Sequence, residues 1–293
     1  IYSFKPTAGR VTRAEADIFE FTHLKNKIKP KEDVFKSTIG PLASNYTDLK
    51  TLMITLNEFG KIINFEGYIP WTKTIVNKTI GVIKGLESEI TPCETAIRAL
   101  KESSMFLGSL SYKFVEIDIS DLVHEINVQT NAIFFIDSNE IEILIKNNIL
   151  TEPLDESYIK INQIASMPIS DIYNLLYSLN KNDHSRMVLE AIIVSKTMPR
   201  SEIIAKRELI IKEVTQRFIN KKVDVALCLG LFPAPLIGSG KDICWMCVNT
   251  YTWNYLNFPA GAVPWTTVLP GEDIYKVNNN DHLTNELKNN LKN

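Results

Sequence analysis

The sequence predicts an α/β fold, with a mixed β-sheet core covered by helices and a helical insertion. β-rich runs at 79–85 and 112–119 flank a helical pattern, so these three segments form a predicted βαβ unit. The nearly continuous apolar run at 222–231 is typical of a strand buried on both faces. Residues 121–220 show helical periodicity broken by short polar stretches, which predicts a mainly helical segment between the sheet strands.

The N-terminal part begins with a predicted strand inside residues 1–12, where a Lys-Pro-Thr turn follows it. Within 37–56, leucines and a methionine recur at helical spacing, so we expect a helix there. Ser44, Asn45 or Thr47 can supply the side chain that caps its N-terminus.

The helix of the βαβ unit carries a start and a stop signal. Thr91, Pro92 and Glu94 predict an N-cap, a proline at the first helical position and the glutamate of a capping box. Gly108 is the predicted end of this helix. The helices predicted after the unit lie at roughly 121–134, 138–149, 156–166, 169–179, 184–195 and 199–219.

The stretch "NFPAGAVPWTTV" (257–268) places two prolines and a glycine around an apolar, β-branched run. Proline is tolerated at the start of a strand but not inside a central ladder, which predicts a rigid turn before a short buried strand at 263–268. No Gly/Ser-rich linker interrupts the chain. We therefore predict a single domain over 1–293 that contains a helical insertion at 120–220.

Bulk composition excludes several classes of protein. The 293 residues are 45% hydrophobic and 23% charged, as in ordinary globular domains. A net charge of -2 provides no basic field for nucleic acid, so no nucleic-acid partner is expected. Four cysteines indicate a reducing compartment, hence an intracellular protein, cytoplasmic or peripheral on an internal membrane. Cys244 and Cys247 form a CxxC without a second ligand pair, so two small apolar residues on one helix are favoured over a metal or redox site.

Four segments together resemble the amidase signature family. These are "KPTAGRVT", "STIGPLASNYTDLKTLMITL", the strand–helix–strand unit and "NYLNFPAGAVPWTTV", and the last is similar to fatty acid amide hydrolases in particular. The resemblance covers residues 1–12, 37–57, 78–119 and 222–277 in the family's order. It implies an amidase-signature type of α/β domain that this chain contains only in part.

The resemblance implies a serine hydrolase that cleaves acyl amides through an acyl-enzyme, without metal or cofactor. Its nucleophilic serine, bridging serine and lysine base are expected upstream of Ile1, so no catalytic residue lies in this chain and the chain itself is expected to be inactive. The lysine of "KPT", Lys5, is not the family's base. Cys247, Tyr251 and Asn254, spaced four and three residues apart, are candidates for the acyl-binding channel.

Two departures from the family pattern stand near these motifs. Ser3 replaces the small glycine that usually precedes the "FKPT" element, and this predicts a looser approach at that position. Cys228 and Leu229 stand where the family has Thr-Pro, which leaves the conformation of the loop open.

Alternatives to this function stay open. One is a truncated, non-catalytic paralogue that binds lipid or a protein partner. Another is an amidotransferase-type subunit of the same family, which would carry a Gly-Leu-Pro-Ala variant where this chain has Phe258–Gly261. The apolar stripe in 201–214 leaves peripheral membrane contact open, although a core-packed helix is favoured. A homodimer is also left open.

Overall fold

The computed structural model describes residues 1–8, 11, 38–62, 78–88, 91–146, 163–181, 183–230, 248–272, 285 and 288. The chain is a mixed α/β protein that divides into two compact units. The first unit comprises Ile1–Ile75 and Trp253–Trp265, and the second comprises Val76–Thr252 and Thr266–Asn293. The single domain over 1–293 stays a prediction.

The strands of the described residues are β1 (Tyr2–Lys5), β2 (Leu42–Ala43), β3 (Thr79–Lys84), β4 (Lys113–Asp118), β5 (Val225–Leu227) and β6 (Ala260–Ala262). The helices are α1 (Tyr46–Ile62), α2 (Glu94–Ser109), α3 (Ser120–Lys146), α4 (Ile169–Ser178), α5 (Ser185–Thr197), α6 (Arg200–Asn220) and α7 (Val248–Tyr255). Helices α3 to α6 occupy the range 120–220, whose role as an insertion stays a prediction.

In the first unit, α1 begins where the capping signals predicted. The Asn45 Oδ1 accepts the Asp48 amide at 2.9 Å, and the Asn45 Nδ2 donates to the Asp48 carboxylate at 2.7 Å. Asn45 is therefore the cap among the three candidates, and it satisfies a donor that the first helical turn leaves open. Met53 is buried on one face of this helix.

In the second unit, the sheet has the strand order β4-β3-β5, and both pairings are parallel. The three strands lie inside the runs predicted for them, so their positions are confirmed. The predicted burial of the last run on both faces is wrong, because Val225 is 46% exposed and the other two residues of β5 are only half-buried. Central β3 buries Ile83, and β4 buries Ile117. Of the three strands, β3 has the most buried residues, as expected for the central strand of a parallel sheet.

Helix α3 runs unbroken through the break predicted between two shorter helices. That prediction is wrong because residues 120–146 contain neither glycine nor proline, so nothing interrupts the backbone hydrogen bonds. Every residue from 126 to 133 is buried, and α3 packs against α5 and α6. A helix buried on all sides forms the centre of the helical part of this unit. The predicted helix at 156–166 lies mostly outside the described residues.

The predicted cap of α2 is also wrong. The helix begins at Glu94, and the N-cap is Cys93, whose φ of -71° and ψ of 156° are extended and whose side chain makes no capping hydrogen bond. The helix therefore begins two residues later than the capping box predicted. The Cys93 side chain at this N-cap is buried, with 8% of its surface exposed.

The C-terminus of α2 passes the predicted stop at Gly108 and closes with Ser111 in the left-handed region, at a φ of 67°. The Tyr112 amide donates to the Leu107 carbonyl at 3.2 Å, and the Ser111 amide donates to the Gly108 carbonyl at 3.0 Å. This pair of bonds is the Schellman motif, which satisfies the last carbonyls of a helix.

The buried strand predicted at 263–268 is not formed. Strand β6 ends at Ala262, and Val263, Trp265 and Val268 are exposed in an irregular segment. Because Pro264 has no backbone N–H, it cannot donate to a continuing ladder. The strand beside the predicted turn is thus β6, which begins at Ala260, three residues before the predicted start at 263.

Candidate functional site

The first unit brings three distant segments into one antiparallel sheet of strand order β2-β1-β6. Its central strand β1 immediately precedes the Pro-Thr of "KPT", β2 lies in the Gly-Pro-Leu-Ala element, and β6 lies in "NFPAGAVPWTTV". The register places Ser3 opposite both Leu42 and Ala262. Three of the four segments that carry the resemblance therefore meet at one place.

Gly40 lets β2 approach β1 closely. A Cβ at Gly40 would lie 2.1 Å from the Phe4 carbonyl oxygen, far inside van der Waals contact. The Phe4 amide also donates to the Pro41 carbonyl at 3.2 Å, beside that contact. Glycine is required here because only hydrogen fits between the two backbones.

Gly261 plays the same part on the other side of β1. A Cβ at Gly261 would lie 2.8 Å from the Ser3 carbonyl oxygen. The Ser3 hydroxyl accepts the Ala262 amide at 3.3 Å, so the serine that departs from the family pattern contacts β6 rather than leaving a gap. The Pro-Ala-Gly-Ala stretch is thus a close-fitting edge of this sheet.

Asn257 joins the end of α7 to the Lys-Pro-Thr segment. Its φ of 55° is left-handed, and its amide and that of Phe258 donate to the carbonyls of Asn254 and Trp253, which closes the helix. The Asn257 side-chain oxygen accepts the Ala8 amide at 2.8 Å. No motif in the sequence indicated this residue, although asparagine is, after glycine, the residue that best tolerates left-handed backbone.

The predicted channel residues are only partly described. Cys247 lies outside the described residues. Tyr251 and Asn254 are both half-buried and lie three residues apart on α7, and the Asn254 carbonyl takes part in the cap of that helix. Their role in binding an acyl chain stays a prediction.

Lys5 is the titratable group of this sheet whose pKa departs from its ordinary value. Burial lowers the pKa of the Lys5 ammonium, because removal from water disfavours the charged form. Its Nζ donates to the Pro6 carbonyl at 3.2 Å. The ammonium is therefore held against its own turn.

Arg217 lies at the centre of a cluster of charged side chains in the second unit. Its two terminal nitrogens donate to the Asp121 carboxylate at 2.7 Å each, and further to the Asp118 carbonyl and Glu213. The Arg217 guanidinium lowers the pKa of Asp121. A cavity of about 320 Å³ opens beside the cluster, lined by Glu116, Ile117, Asp118, Arg217, Asn220 and Lys221. Because Arg217 is bound to protein acceptors, this cluster joins α6 to α3 rather than offering a free charge.

Within the described ranges, no group of three or more His, Cys, Asp or Glu side chains could hold a metal ion. None of the helices described is both long and apolar enough to cross a membrane. A comparison with protein-family models returns no match, and a comparison with curated protein sequences returns none either.

Proposed function

We propose that this chain is the downstream part of an amidase-signature serine hydrolase, closest to fatty acid amide hydrolases. The full enzyme would cleave the carbon–nitrogen bond of an acyl amide through an acyl-enzyme. The observation that carries the proposal is the convergence of residues 2–5, 42–43 and 260–262 in one sheet. Segments that resemble one family and lie up to 259 residues apart have a shared structural role when they pair directly.

The glycine contacts support the same proposal. Gly40 and Gly261 approach the backbone of β1 from its two sides, at Phe4 and Ser3. A close backbone arrangement of this kind holds loops in place, as an enzyme needs where an oxyanion or substrate must be positioned within a few tenths of an ångström. The role suggested for β1 and its neighbours is therefore to support the wall of an acyl pocket.

The proposed chemistry belongs to residues that precede Ile1. A serine hydroxyl becomes a strong nucleophile only when a neighbouring base removes its proton, and a lysine can act as that base when burial lowers its pKa. Lys5 has a lowered pKa, but its Nζ donates to the Pro6 carbonyl. We therefore do not propose Lys5 as the catalytic base.

A fluorophosphonate probe tests the proposal on a chain extended upstream through the reading frame. We expect covalent labelling of one serine before Ile1, loss of labelling when that serine is changed to alanine, and hydrolysis of an acyl amide. The chain 1–293 alone should neither react with the probe nor turn over the amide. A folded, extended protein that resists the probe would instead support the non-catalytic paralogue, and turnover by 1–293 alone would contradict the placement of the catalytic serine.

A further inference from the structure

Arg98, in the second turn of α2, binds a short segment that is distant in sequence. Its Nε donates to the Glu272 Oε1 at 2.6 Å, and its Nη2 donates to the Glu272 Oε2 at 2.9 Å. Nη2 also donates to the Thr267 carbonyl at 2.6 Å, and Nη1 donates to the Thr266 hydroxyl at 2.8 Å and to Glu102 at 3.1 Å. These bonds account for all five guanidinium N–H donors.

Glu272 closes the same segment into a turn. Its Oε2 accepts the Leu269 amide at 2.9 Å, and its own amide donates to the Leu269 carbonyl at 3.0 Å. The Thr95 hydroxyl on α2 donates to the same Oε2 at 3.0 Å. The bidentate ion pair between Arg98 and Glu272 therefore fixes both the position of the segment and the conformation of its turn.

Apolar burial contributes little to this attachment. Val268 and Leu269 are 59% and 45% exposed, and α2 itself contains no fully buried residue. The Arg98 and Glu272 side chains, in contrast, are only 20% and 12% exposed. Polar contacts centred on one guanidinium therefore hold the segment, rather than a hydrophobic core.

We infer that residues 266–272 form a releasable strap, and that the Arg98–Glu272 pair is the latch that holds it on α2. Segments secured by few buried contacts open at a lower free energy than the global unfolding of their domain. Loss of the latch should free the strap and uncover the first turns of α2, while the β4-β3-β5 sheet stays folded. This inference does not depend on the proposed amidase activity.

Hydrogen exchange followed by mass spectrometry on the 1–293 chain tests the strap. In Arg98→Gln, we expect exchange of the Leu269 and Glu272 amides to be roughly tenfold faster or more, whereas exchange in β3 and β4 changes by less than about twofold. Arg217→Gln is the matched control, since it removes another carboxylate-paired arginine of the same unit without touching the strap.

Two results would overturn the inference. One is unchanged exchange at Leu269 and Glu272 in Arg98→Gln. The other is equal acceleration across the strap and β3, which would make Arg98 a support of the whole unit. If Arg98→Gln fails to fold, Glu272→Gln removes the charge while keeping the side-chain size, and the same two criteria apply; failure of both variants to fold would also contradict a local latch.

Acid should open the strap. The Arg98 guanidinium lowers the pKa of Glu272 from 4.5 to about 2, with help from the Leu269 amide, while Glu102 shares the same guanidinium. A depressed pKa means that the contribution of the carboxylate is complete above pH 4.5 and is lost as pH falls towards 2. Exchange at Leu269, corrected for its intrinsic pH dependence, should stay level from about pH 7 to 5 and rise below about 4.5 relative to β3.

Glu272→Gln provides the control for this pH profile. In that variant the strap amides should exchange fast at every pH, without the rise below pH 4.5. A wild-type profile that follows β3 at all pH values would show that Glu272 does not secure the strap.

Discussion

Replacing Gly40 by alanine is expected to destabilise the first unit by on the order of 3 kcal/mol. The new Cβ would lie 2.1 Å from the Phe4 carbonyl oxygen and 3.0 Å from the Phe4 carbonyl carbon. Both atoms belong to the backbone of central strand β1, so β2 must move away to remove the clash. That movement weakens the hydrogen bond from the Phe4 amide to the Pro41 carbonyl. Urea denaturation and amide exchange at Phe4 measure the two consequences.

Gly108→Ala is the matched control for this substitution. Gly108 lies inside α2, and its added Cβ would meet only the Phe114 ring, at an ordinary 3.8 Å. Glycine is poorer than alanine in a helix, so Gly108→Ala should stabilise the protein by about 0.5–1 kcal/mol. Two results would show that the close contact at Gly40 is not required. One is an equal change in unfolding free energy for both substitutions, and the other is a Phe4 amide that does not exchange faster in Gly40→Ala.

Replacing Asn127 by leucine is expected to stabilise the second unit by about 1–3 kcal/mol. Asn127 is 0% exposed on the fully enclosed part of α3, and neither its Nδ2 nor its Oδ1 has a hydrogen-bond partner in the part of the chain that the structure describes. A buried polar group without a partner carries its full desolvation cost. Leucine has the same number of side-chain heavy atoms and removes that cost.

Asn131→Leu is the comparison that separates burial from hydrogen bonding. Asn131 is equally enclosed, but its Nδ2 donates to the Asn127 carbonyl at 2.8 Å and only its Oδ1 lacks a partner. Its replacement should therefore stabilise less than that of Asn127 in urea denaturation. Destabilisation by Asn127→Leu would show that this carboxamide is satisfied by a bound water or another polar group.

The strands of the second unit could be predicted because their signal is local. The short β-rich and apolar runs at 79–85, 112–119 and 222–231 indicate β3, β4 and β5 directly in the sequence. The Asn45 cap is also local, since donor and acceptor lie three residues apart. The break predicted inside α3 is absent because residues 120–146 contain no glycine or proline that would end a helix.

The candidate site was predictable in its segments and not in its contacts. The glycine and two prolines of 257–268 indicated a rigid backbone, but the strand formed at Ala260–Ala262 because β1 pairs with it there. Asn257 and its bond to Ala8 went unrecognised, since the two residues lie 249 positions apart. Whether Tyr251 and Asn254 bind an acyl chain stays a prediction.

From the sequence alone came the α/β class, the three strands of the parallel sheet and the helical character of 120–220, because periodicity and continuous apolar runs are properties of neighbouring residues. Tertiary structure decided which segments pair around β1, where β6 begins and why Arg98 meets Glu272 from 174 positions away. These pairings depend on which backbone hydrogen-bonding groups and charged side chains still need a partner when the chain folds. That condition acts between residues distant in sequence, so no local pattern records it.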